Sequence, residues 1–95
     1  MVVGVLRLEL HLPGARSLKD KRRVVRAVTS RVRNKFNVSI AEVADQDVWQ
    51  RAILGAAQVG NEEPHVGSCL RRIVSFIDDQ HLAPIGDEAI EFLHY

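Results

Sequence analysis

Leucine stands at positions 6, 8, 10 and 12, and Arg7, Glu9 and His11 fill the places between. A period of two puts the four leucines on one face of an extended strand, Val2–Leu12, and the polar residues on the other. Such a strand wants an apolar layer on one side only. Pro13-Gly14 then ends it.

Arg16–Phe36 reads as a helix. Ser17 is a good N-cap, and Asp20 three residues later completes a capping-box pattern with a shorter acid than usual. At 100° per residue, Leu18, Val25, Val28, Val32 and Phe36 fall within about an 80° arc, the expected core stripe. Lys19, Arg22, Arg23, Arg26 and Arg33 form a continuous basic flank beside it. Lys21 projects within the apolar arc, so its stem is expected to lie on the sheet while its ammonium escapes at an end.

Asn37 stops this helix, and Val38–Val43 reads as a strand followed by an acidic turn, Ala44–Asp47. Val48–Val59 reads as a third strand, with Ala52, Leu54 and Ala56 on one face and Arg51, Ile53, Ala57 and Val59 on the other. The pattern leaves open which of these faces the core. Gly55 implies a bulge or the close approach of another group. Asn61 is the expected cap of a second helix, with Glu62 and Glu63 at its positive end and Pro64 in its first turn. Val66, Cys69 or Leu70, Ile73 and Ile77 repeat at helical spacing. Ala83-Pro84 ends this helix, and Glu88–Leu93 forms a last strand with Ile90 and Phe92 on one side.

The order is βαββαβ in one domain, residues 1–95. It predicts an α+β, ferredoxin-like sandwich: a four-stranded antiparallel sheet with both helices on one face. The other face is left for solvent or for a second subunit.

Arg16-Ser17-Leu18-Lys19-Asp20-Lys21-Arg22-Arg23, Arg33-Asn34-Lys35-Phe36-Asn37-Val38-Ser39 and Ala41-Glu42-Val43 resemble the YlxP-like family, as do Trp49 and Leu54-Gly55. The likeness runs over essentially the whole chain. It implies a small bacterial protein with a ferredoxin-like fold, cytoplasmic, of a family whose genes usually lie beside those for translation initiation factor two and ribosome-binding factor A. That setting implies work around RNA or the ribosome. The family, one of unknown function, offers no catalytic residues to carry over.

Charge carries the functional argument further. Arg16–Phe36 holds nine of the 13 Lys+Arg residues and one acid, so it bears a formal +8 inside a chain of net +1. The expected activity is non-enzymatic binding of structured RNA or the ribosome. Arg16, Lys19, Lys21, Arg22, Arg23, Arg26 and Arg33 would touch phosphates, and Ser17 would organise the helix start. Free N–H groups and the positive dipole end there also suggest an anion site. A second reading is a protein–protein module, either a homodimer through the open sheet face or a regulatory subunit. A third is a small-anion or enzymatic pocket at Ser17–Arg22.

Other constellations are weaker. His65 and Cys69 stand at i and i+4, half of a zinc site, and His11, His81 and His94 are scattered, so no metal or cofactor is expected; Cys69 reads as a small core residue. Asp45, Asp47, Asp78 and Asp79 read as surface acids. The acylphosphatase phosphate loop is absent. A single cysteine excludes an internal disulfide and suits a reducing compartment, and no apolar run approaches the ~20 residues of a membrane span. Trp49 opens the third strand and reads as a core plug, or as an interface anchor should it be exposed. The central strands carry no other aromatic, so base stacking on the sheet face is not expected.

Overall fold

The computed structural model describes every residue from Met1 to Tyr95. Its elements are β1 (Val2–His11), α1 (Leu18–Lys35), β2 (Ser39–Ala44), β3 (Arg51–Gly60), α2 (Glu63–Asp79) and β4 (Ile85–His94). The strands form one antiparallel sheet in the order β2-β3-β1-β4. This is the ferredoxin-like α+β fold expected from the pattern. No helix is long and apolar enough to cross a membrane.

β1 is central, and its leucines decide which face is buried. Leu6, Leu8, Leu10 and Leu12 are all 5% exposed or less. Each fully buried leucine contributes about 1.5–3 kcal/mol of transfer free energy. On α1, Val25, Val28 and Val32 meet them, and on α2, Val66, Leu70, Ile73 and Ile77. From β3 come Ala52, Leu54 and Ala56, which settles the face that its pattern left open. Leu70 is thus the core residue of the Cys69–Leu70 pair, whereas Cys69 is only half-buried on the helix flank, with Sγ 3.9 Å from His65 Nε2. Leu18 and Phe36 close the stripe of α1 at half-buried ends.

Two glycines permit close approach. A Cβ at Gly4 would run into the Val66 and Leu70 side chains, so α2 rests directly on the β1 backbone. A Cβ at Gly55 would lie 2.9 Å from Val43 Cγ1, where the β2–β3 register slips between Glu42 and Ala44. Of the two alternatives posed for Gly55, the close approach holds; the bulge lies on β2, at Val43, while Gly55 pairs in register with Ala41 and Arg7.

Three boundaries differ from the expectations. β3 begins at Arg51 rather than Val48, because the backbone of Val48 is engaged in a turn: its N–H donates to the Asp45 carbonyl at 3.0 Å. Glu62, not Asn61, is the N-cap of α2, and its side chain makes no capping bond. Its carbonyl accepts the first helical bond, from Val66 N–H at 3.1 Å. Pro64, lacking an N–H, removes one of the orphan donors that a capping side chain normally serves. β4 spans Ile85–His94, longer than Glu88–Leu93, since β1 offers it a full partner across a register shift between Leu8 and Leu10.

Candidate nucleic-acid interface

α1 starts where Ser17, in extended conformation, turns its Oγ to accept the Asp20 N–H at 3.1 Å. The Asp20 carboxylate reaches back one residue further than a reciprocal capping box requires and accepts the Arg16 N–H at 3.0 Å. Ser17 does organise the helix start, and Asp20 already sets a negative charge near the positive end of the dipole, where an anion is expected.

Beyond the cap, Lys19, Arg22, Arg23 and Arg26 are exposed and, with Ala27 and Ser30, line a shallow surface depression of about 560 Å³. Arg16 is exposed at one end of this flank. Arg33, at the other, leans towards the sheet edge and donates through Nη2 to the Ile40 carbonyl at 2.7 Å. The molecule's ion pairs are Lys21–Glu42 and Asp45–Arg51, and two more carboxylates, Glu9 and Glu63, contact the rings of His11 and His94. None involves Arg16, Lys19, Arg22, Arg23, Arg26 or Arg33. The acids are not folded back onto the basic flank.

Lys21 must be removed from the phosphate-contacting set. Its side chain is fully buried, and its ammonium does not escape. Nζ donates to the carbonyls of Asp45 at 2.5 Å and Val48 at 2.6 Å, and stands 2.8 Å from Glu42 Oε2. The reason is its position on the helix: it points between Val25 and Val28 towards the β2–β3 connection, where backbone carbonyls and an acid await a cation. All three donors of the ammonium have an oxygen nearby, which is how a buried lysine is tolerated.

Arg31 and Lys35, on the opposite flank, are engaged with α2 and its end. Arg31 donates to Gln80 Oε1 at 2.9 Å, and Lys35 Nζ lies 4.8 Å from the centre of the Phe76 ring. Such a cation–π contact is worth about 0.5–1 kcal/mol at an exposed site. The basic helix therefore has one flank tied to its neighbour and one facing outwards.

Trp49 is no core plug. It is 50% exposed, in the connection between β2 and β3 that Lys21 holds down. The cue in the sequence was the polar run Asp45-Gln46-Asp47, which makes a longer connection than the acidic turn drawn from it. His65 and Cys69 gather no third His, Cys, Asp or Glu into a group that could hold a metal.

With this geometry in hand, known proteins supply a context. Residues 3–89 match the profile of a family described as "Protein of unknown function (DUF503)". The chain is also similar to the uncharacterised protein YlxP of Bacillus subtilis (strain 168), with 42% identity over 77 residues covering 81% of this chain and 84% of that protein.

Proposed function

The chain belongs to the DUF503 family, and we propose that it is a non-catalytic module that binds structured RNA, or the ribosome, through phosphates along the outward flank of α1. One observation carries this reading: Arg16, just before α1, and Lys19, Arg22, Arg23, Arg26 and Arg33, along one side of it, have no carboxylate in salt-bridge range. A solvated face in a chain of net +1 would be expected to recruit some of the eleven acids that lie outside this helix. None is recruited. In this reading the protein works in the cytoplasm, and Lys21 and Ser17 shape the helix without touching the ligand.

Four to six phosphate contacts give a slope of log K against log salt of about −3 to −5. Affinity for a duplex RNA hairpin would then drop roughly 60- to 1000-fold between 50 and 200 mM salt. Reversing Arg22 and Arg26 together to Glu abolishes binding while the far-UV circular dichroism stays that of the wild type. Unchanged affinity in that double variant removes the reading.

A second reading rests on the open sheet face. Val3 has Val59 and Leu93 as its register partners on either side, and these two are 62% and 46% exposed. Three neighbouring apolar side chains across three strands suit a homodimer contact. Sedimentation tests it: a concentration-dependent dimer that Val59→Asp dissociates supports it, and a monomer at all concentrations excludes it.

A further inference from the structure

Trp49 is the chain's only tryptophan. Both of its chain neighbours are pinned, Val48 to the second turn of α1 and Gln50 to the connection between β1 and α1. Lys21 Nζ binds the carbonyl of Val48. Gln50 donates through Nε2 to the Ala15 carbonyl at 3.4 Å, and its own carbonyl accepts the Leu12 N–H at 3.0 Å. The turn is closed further by an Asp45–Arg51 ion pair at 2.8 Å. The half-exposed indole therefore stands on a braced turn, next to the segment that carries Arg16, Lys19 and Arg22.

The remaining aromatics cannot do the same work. Phe36 and Phe76 pack edge to face at 5.5 Å, and Phe92 packs against the core. Tyr95 is exposed but lies beside Met1, at the other end of β1. A flat π-surface on a turn tethered to Ala15 and Lys21, between which lies Arg16, a cation without a carboxylate partner, matches a nucleotide: phosphate on the cation, base on the ring. A protein partner would also use an exposed tryptophan. But of the two acids in its turn Asp45 is neutralised by Arg51, and Arg16, next to the tethered Ala15, lacks a carboxylate partner, which favours a polyanion over a protein despite Asp47.

We infer that Trp49 is a stacking platform for one unpaired base, so that the site takes RNA in which a paired segment runs into a single-stranded one. This rests on the phosphate-binding role of α1 proposed above. The helix flank follows the backbone of the duplex, and the indole receives the first base that leaves the stack. Because the turn is held by Lys21, Gln50 and Arg51, little ordering of the loop is needed on binding.

The test uses one RNA hairpin in two forms, blunt-ended and with single-stranded extensions at its 5′ and 3′ ends. Binding is followed at low salt by labelled RNA and by tryptophan emission, which reports Trp49 alone. The wild type should bind the extended hairpin roughly 5- to 150-fold more tightly than the blunt one, the stacking contribution of one base, with emission quenched. Trp49→Ala should erase the preference yet keep the blunt-hairpin affinity and its salt slope, and Trp49→Phe should retain most of it. Equal affinity of the wild type for both hairpins, or an undiminished preference in Trp49→Ala, overturns the platform and leaves the phosphate reading standing. No binding of either hairpin at low salt overturns both.

Discussion

Lys21 and Glu42 meet at 2.8 Å beneath α1, an ion pair whose lysine side chain has no exposed surface and whose glutamate is 17% exposed. It stands where the helical wheel would put a hydrophobe, and it closes the gap between α1 and the β2–β3 connection.

Replacing Lys21 with Met should be costly. The stem is kept and the charge lost, leaving the Glu42 carboxylate and the Asp45 and Val48 carbonyls without their cation. Breaking a buried pair from one side costs about 3–5 kcal/mol, which in a domain of this size lowers Tm by roughly 12–40 °C. Adding Glu42→Leu should recover part of the loss. A urea midpoint for Lys21→Met equal to that of the wild type would show that the pair holds nothing.

Gly4→Ala should destabilise by about 1–3 kcal/mol through overpacking, since the new methyl meets Val66 and Leu70. Gly14→Ala, where nothing lies within 4 Å of the added carbon, should melt within about 0.5 kcal/mol of the wild type. Paired denaturant titrations decide it, and equal losses in the two variants would contradict the close approach of α2 to β1.

Ser17→Ala removes the oxygen that accepts the Asp20 N–H and should cost about 1 kcal/mol. Ser17→Gly should cost only a few tenths of that unit. Thermal unfolding of the two variants side by side checks the ranking.

The two flanks of α1 should separate in RNA titrations. Arg26→Gln should flatten the salt slope by about 0.7–0.9, one phosphate's worth. Arg31→Gln and Lys35→Gln should leave slope and affinity within about twofold, as their groups already serve Gln80 and Phe76. Equal effects on both flanks would mean diffuse attraction rather than a surface.

The sequence was most legible where one period governs many residues. The leucine alternation of β1 and the valine stripe of α1 are set by local geometry, and Ser17 signals its cap within three residues. Lys21, Trp49 and Asn61 were misread for a common reason. Whether the Lys21 ammonium escapes depends on carbonyls 24 and 27 residues away, and whether Trp49 is covered depends on where that tether stops β3. Asn61 lost the cap to a carbonyl one residue on, helped by a proline that asks for no partner. The basic flank was visible as composition, but its lack of internal ion pairs is a tertiary property.

The sheet order also sets a timetable. β1 lies between β3 and β4, and both are made after it, the one from Arg51 and the other finished only at His94. At about 5–20 residues per second, β1 leaves the ribosome several seconds before its second strand partner exists. A nascent chain of this design covers its leucines with the two helices first and leaves one edge of its central strand unpaired until the last strand is made.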